Sequence, residues 1–330
     1  MSREAWTPSS PRLVRIRHRE VIDHQSGGDA GRVQSRGESS LTFVSPDVWR
    51  RGGGTFVWEA SELLTVFYRV EGQGEPLLLI HGFPTASWDW SLLWAELIQR
   101  FRVLTLDMIG FGFSSKPRRF RYSIASQADL FEAFLAREGV TRYRLMSHDY
   151  GDTVAQELLA RQRDGTAAAT IESVCFLNGG LFPEAHRPVL TQKLLASPLG
   201  GLVSRLMGYG AFARNLRRIC ARPLAEDELR AMWQLVTAND GVRVVHHLLG
   251  YIAERRRNRE RWVGALVNAN VPVRLIAGLE DPISGAHMVT RYRELVANPD
   301  VVELPGVGHY PQLEAPQEVL AAALSFFVKA

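Results

Sequence analysis

Ten residues narrow the folds open to this chain more than any others: Tyr143-Arg144-Leu145-Met146-Ser147-His148-Asp149-Tyr150-Gly151-Asp152. Tyr143 to Met146 has the largely apolar pattern of a short buried strand. From Thr153 onward, Val154, Ala155, Leu158 and Leu159 share one face of a helix. Between strand and helix stand Ser147, His148, Asp149, Tyr150 and Gly151, a reactive residue with small residues two positions to either side. A turn this tight crowds its flanks and pushes the middle side chain out above the sheet edge. Here that side chain is a carboxylate. An Asp nucleophile suits attack on a saturated or epoxide carbon better than on an ester carbonyl. The same residues also fit an ordinary strand-to-helix turn with Asp149 as the helix N-cap.

The rest of the chain supplies the context. Thr55 to Trp58 and Leu64 to Val70 read as an opening hairpin, and Pro76 to Ile80 as a wholly apolar strand buried on both faces. Further strands are expected at Val103 to Leu106, Val174 to Leu177, Val271 to Ala277 and Val301 to Leu304, with helices between them at about 89–100 and 126–138. A last helix is opened by Pro316. Strands alternating with helices predict right-handed crossovers and an α/β fold with a mostly parallel eight-stranded sheet. From about 181 to 265 the pattern is helical without clear strands, which predicts a cap inserted over the sheet edge. The chain thus divides into a flexible N-terminal tail (1–53), core (54–180), cap (181–265) and core again (266–330). The tail is rich in Arg, Ser, Gly and Pro and reads in part as an over-extended gene start.

Composition excludes several classes. The chain has 330 residues, 46% hydrophobic and 22% charged, which is globular rather than disordered. No apolar run approaches the ~20 residues of a bilayer span. The N-terminus lacks the apolar core of a secretory signal, and Glu4, Glu20 and Asp23 weaken a transit-peptide reading. A net charge of +4 argues only weakly for an acidic partner, and no nucleic-acid partner is expected. The loop Asp107 to Ser114 is Gly-rich but lacks the Lys and spacing of a phosphate-binding loop. Two cysteines make no disulfide framework, and a reduced, cytoplasmic setting is expected. The run Arg255-Arg256-Arg257-Asn258-Arg259-Glu260-Arg261 reads as a solvated face, with binding of anions or phospholipid the lesser alternative.

Three chemically capable residues fall just after strand ends, where open α/β sheets build their sites: Asp149, Asp281 and His309. Their order is nucleophile, acid, histidine. His81-Gly82-Phe83-Pro84 follows another strand end, so the Phe83 and Tyr150 N–H groups are candidates for an oxyanion hole.

With these residues in place the chain resembles the α/β-hydrolases. It resembles in particular the epoxide hydrolase and haloalkane dehalogenase branch, whose elbow is typically Gly-His-Asp-Trp-Gly. It is still more similar to the mesoderm-specific transcript family of hydrolases. The matching segments are Ser147 to Leu159, Leu177 to Glu184, Arg261 to Leu266 and His309 to Glu314. The resemblance implies nucleophilic attack by Asp149, a water-activating His309 oriented by Asp281, and a small apolar organic substrate. The chemistry needs no metal or organic cofactor. Epoxide hydrolases use cap tyrosines as donors to the epoxide oxygen, and Tyr251, then Tyr209, stand in the corresponding region. Where dehalogenases carry a halide-holding Trp this chain has Tyr150, which weakens the dehalogenase reading. Ester or lactone hydrolysis stays open on the same scaffold, as does a catalytically silent hydrolase fold used for binding. Asp152, where relatives often carry Gly, has no sequence-level explanation.

Overall fold

A computed structural model of the protein describes residues 42–328. Eight strands form one sheet: β1 (Gly54–Glu59), β2 (Leu63–Glu71), β3 (Pro76–Ile80), β4 (Arg102–Leu106), β5 (Arg142–His148), β6 (Thr170–Leu177), β7 (Val273–Gly278) and β8 (Asp300–Leu304). Their spatial order is β1-β2-β4-β3-β5-β6-β7-β8. The β1–β2 and β2–β4 pairs are antiparallel and every other pair is parallel. The expected α/β architecture is therefore the one observed. Central strands are apolar on both faces because helices cover both; Leu77 to Ile80 and Val174 to Leu177 have no solvent exposure.

The helices are α1 (Pro46–Arg51), α2 (Ser91–Leu97), α3 (Ile124–Arg137), α4 (Tyr150–Arg163), α5 (Leu190–Leu195), α6 (Gly200–Leu206), α7 (Tyr209–Ile219), α8 (Glu226–Thr237), α9 (Val245–Leu248), α10 (Tyr251–Arg257), α11 (Arg259–Val267), α12 (Ala286–Leu295), α13 (Pro311–Glu314) and α14 (Pro316–Phe327). Seven of them, α5 to α11, lie between β6 and β7. The last, α11, packs along α4, where Glu157 accepts from Trp262 Nε1 at 2.7 Å and pairs with Arg261.

Two expectations are corrected. The composition places a flexible tail at 1–53, but its described part, 42–53, is built into the fold. Ser45 caps α1, Trp49 is buried, and its indole donates to Ser87 Oγ at 3.1 Å. The Arg69 guanidinium stacks on the Trp49 ring at 4.1 Å. Burial of one indole outweighs the polar, Gly-rich composition around it. The remainder of the tail, and the gene-start reading, lie outside the described residues. The second correction concerns the arginine run. Arg255 is buried, while Arg259 and Arg261 pair with Glu184, Glu157 and Asp164.

Candidate active site

The turn between β5 and α4 is built as its sequence requires. A side chain at Gly151 would bring its Cβ within 2.5 Å of the Ile80 carbonyl oxygen. Asp149 adopts φ 48°, ψ −105°, a backbone conformation that costs a non-glycine residue about 1–3 kcal/mol. Its side chain caps nothing, which sets the N-cap reading aside. The carboxylate instead crosses to the β3 loop, where Oδ2 accepts the Phe83 N–H at 3.1 Å. The other oxygen, Oδ1, has no hydrogen-bond partner among the described residues. Tyr150 is the first residue of α4, so its N–H has no acceptor one turn back.

Asp281 and His309 meet as the chain order suggested. His309 Nδ1 lies 2.8 Å from Asp281 Oδ2. Asp281 also accepts from Ser284 Oγ at 2.6 Å, Ile283 N at 2.8 Å and Asn178 Nδ2 at 3.1 Å. Asn178 in turn accepts the Gly278 N–H at 2.7 Å, which ties β6 to β7 beneath the pair. Burial works against charge on Asp281, but the His309 charge and these donors hold its carboxyl down at about 2. Burial likewise opposes charge on His309, but the Asp281 carboxylate prevails and raises the imidazole to about 9, with a smaller contribution from Asp149. His148, next to the nucleophile position, turns away: its Nε2 meets the His309 carbonyl oxygen at 2.7 Å and its ring packs on Tyr310. Burial, then the neighbouring His309, depresses it to about 4, which keeps it neutral.

Helix α10, in the segment between β6 and β7, packs against the elbow. The Tyr251 ring packs at a tilt against Tyr150 with centroids 4.7 Å apart, and its buried hydroxyl has no hydrogen-bond partner among the described residues. Burial, then the charge of Asp149, pushes that phenol up. Tyr209 is elsewhere: its hydroxyl donates to Glu226 at 2.7 Å and its ring packs on Trp233 and under Arg230. Asp152 is buried and accepts from Ser147 Oγ at 2.7 Å. Burial, the largest cause, holds its carboxyl well above the usual range.

Sequence reasoning missed Arg255. This side chain is 2% exposed, and its Nη2 lies 3.9 Å from Asp149 Oδ1. Nε donates to Thr153 Oγ1 at 2.7 Å, Nη1 reaches His186 Nδ1 at 3.4 Å, and the guanidinium lies 4.3 Å from the Tyr251 ring centroid. Any side chain at Gly180 would collide with it. A signal was present: Leu248, Tyr251 and Arg255 recur at helical spacing on one buried face, but the surrounding arginines masked it.

A cavity of about 100 Å³ opens onto Phe83 and His309. Its walls are largely apolar, with Val189, Leu195, Met207, Phe212 and Leu216 from the cap and Ile283 from the core. Asp149 is not among the residues that line it; the Oδ2 contact links it to Phe83, which is.

Sheet, elbow and Asp–His pair together define an α/β-hydrolase. The alpha/beta hydrolase family matches residues 77–323, and the chain belongs to it. It is 43% identical over 293 residues to the mesoderm-specific transcript protein of Mus musculus, covering 84% of this chain and 86% of that one. It is 40% identical over 294 residues to LipZ of Mycobacterium tuberculosis, covering 87% of this chain and all of the relative. A solved α/β-hydrolase-fold protein from Burkholderia ambifaria superposes with TM-score 0.70 at 24% identity, over 82% of this chain and 97% of that chain.

Proposed function

We propose that this hydrolase opens epoxides of small apolar molecules through an ester formed on Asp149. The observation that carries the reading is the unequal treatment of the two Asp149 oxygens. Oδ2 is gripped by a backbone N–H and Oδ1 is left without a hydrogen bond. Oδ1 is thus the atom free to attack carbon. Oδ2 already occupies the place where an oxyanion would develop when water attacks the ester.

The sequence of bonds follows. Asp149 Oδ1 forms a bond to an epoxide carbon, the C–O bond breaks, and the epoxide oxygen takes a proton. Tyr251, buried beside Asp149 with an unengaged hydroxyl, is the donor. His309 then removes a proton from water, and the hydroxide attacks the Asp149 carbonyl carbon. Phe83 and Tyr150 N–H groups hold the charge on Oδ2 until the ester bond breaks; protonated His309 then gives its proton to the departing alkoxide, a vicinal diol leaves, and the carboxylic proton left on Asp149 returns to the Tyr251 phenolate. Esterification also removes the negative charge of Asp149, one of the groups that raises His309. His309 therefore becomes a readier base at the step that needs one.

Halide release has less support. Tyr150 offers no indole N–H to a halide. Tyr209, bonded to Glu226, has no part in the proposal.

The test is a single turnover in oxygen-18 water with a panel of apolar epoxides, followed by peptide mass spectrometry. Label in the Asp149 carboxylate is the expected result. Diol production with label absent there would overturn the ester route.

A further inference from the structure

We propose that the α5–α6 hairpin of the cap is a docking surface for an anionic phospholipid bilayer. Leu190 and Leu194 lie one turn apart on α5, and Leu199, Leu202 and Leu206 follow one face of the α6 segment. All five are between 47% and 76% exposed. Among the described residues these account for half of the large hydrophobic side chains exposed to solvent, gathered within seventeen positions. Scattered single leucines need no explanation, but a contiguous patch does.

Charge identifies the occupant. From Ala185 to Ala225 there are six arginines, one lysine and no acidic residue. Arg217 and Arg222 are paired to Glu226 and Glu318. Lys193 on α5 and Arg205 on α6, interleaved with the exposed leucines, have no carboxylate partner among the described residues. Asp240, in the segment packed against α6, is engaged by Arg243. Leucines on a helical face flanked by uncompensated cations match an interface of acyl chains under acidic headgroups. A second copy of the same hairpin would set like charges against each other. The chain's own residues 1–41, with seven arginines against five acids, are also basic.

The opposite side of this hairpin gives the surface a consequence. Val189 and Leu195 border α5's inner side and, with Met207 at the end of α6, line the apolar cavity above His309. Docking would place the bilayer against the outer wall of that cavity. The inference does not depend on the role of Asp149.

The experiment uses the full chain and vesicles of phosphatidylcholine with or without phosphatidylserine, read by cosedimentation. Wild type is expected to bind the phosphatidylserine vesicles, more weakly as salt rises, and to leave neutral vesicles in solution. Each Lys or Arg near an anionic surface contributes about fivefold in partition, so Lys193→Glu with Arg205→Glu should lower binding by roughly tenfold or more. A combined Leu199→Ser, Leu202→Ser, Leu206→Ser variant should lower it comparably, with circular dichroism unchanged. Should that variant fail to fold, the charge variant alone decides. Three results would each overturn the proposal: no binding to anionic vesicles, binding indifferent to both variants, or a wild-type dimer in light scattering that the leucine variant dissolves. A fluorophore on Leu202→Cys already shielded without vesicles would likewise reassign the face to the chain itself.

Discussion

The Arg255 guanidinium, on α10, approaches within 3.9 Å of the Asp149 carboxylate, at the turn between β5 and α4, and both side chains are buried. A carboxylate with so little water around it is costly unless a cation stands near. Arg255 supplies that charge without a short hydrogen bond, so Oδ1 is neutralised but not blocked. Its Nε bond to Thr153 ties α10 to α4 just after the elbow.

Removing that cation is expected to hurt both stability and turnover. Arg255→Met keeps the apolar stem and leaves Asp149 unpaired, a change worth on the order of 3 kcal/mol for a broken buried pair. Arg255→Lys should restore part of the charge but not the Thr153 bond. Urea denaturation of the two variants, with Gly180→Ala as a steric control, measures the effect. Equal stability of Arg255→Met and wild type would remove Arg255 from the site.

Asp149 and His309 should fail at different steps. Asp149→Ala is expected to lower diol formation by roughly 10⁴-fold or more, the scale seen when a covalent nucleophile is removed. His309→Gln should still form the ester and stall there. Intact-protein mass spectrometry would then show one substrate mass added to His309→Gln and none to Asp149→Ala.

The Asp281–His309 pair imposes a pH dependence on folding. His309 is raised from 6.5 to about 9 in the folded state. Its contribution is fully present below pH 6.5 and is lost as pH climbs through about 9. Lys116, pulled down to about 8 by burial, titrates in the opposite sense, so the readout is the difference between wild type and Asp281→Asn. That difference should shrink across this window in pH-dependent denaturation. A constant difference would contradict the pairing.

Asp152 should be replaceable by Asn. Burial, the largest cause, shifts its carboxyl toward the neutral form, so the isosteric neutral amide keeps the Ser147 contact at little cost. Asp152→Asn is expected to stay within about 1 kcal/mol of wild type, the worth of a typical hydrogen bond. A collapse of turnover with unchanged melting temperature would instead give Asp152 a part in the chemistry.

Trp49 tests whether the segment before β1 is held by the core. Trp49→Ala removes a buried indole, its bond to Ser87 and the Arg69 stack, a loss of about 3–5 kcal/mol for a core aromatic. A flexible segment would leave the urea midpoint unmoved.

Local chemistry sufficed for much of this protein. The strand patterns, the small residues at Ser147 and Gly151, and the spacing of Asp149, Asp281 and His309 specify the sheet, the elbow and the order of the site. They do so because period-two and period-3.6 burial, and crowding in one tight turn, are properties of neighbouring residues. Arg255, Tyr209 and Asn178 were not legible in that way. An arginine among arginines reads as solvated until a helix rotates it onto Thr153 and Asp149. Position alone ranks Tyr251 ahead of Tyr209, but only folding gives one to Tyr150 and the other to Glu226. Asn178, lacking charge, gained its place only when β6 and β7 became neighbours and set it under Asp281. The roles of Arg255 and Asn178 depend on contacts between residues about a hundred positions apart, which only the packed chain brings together.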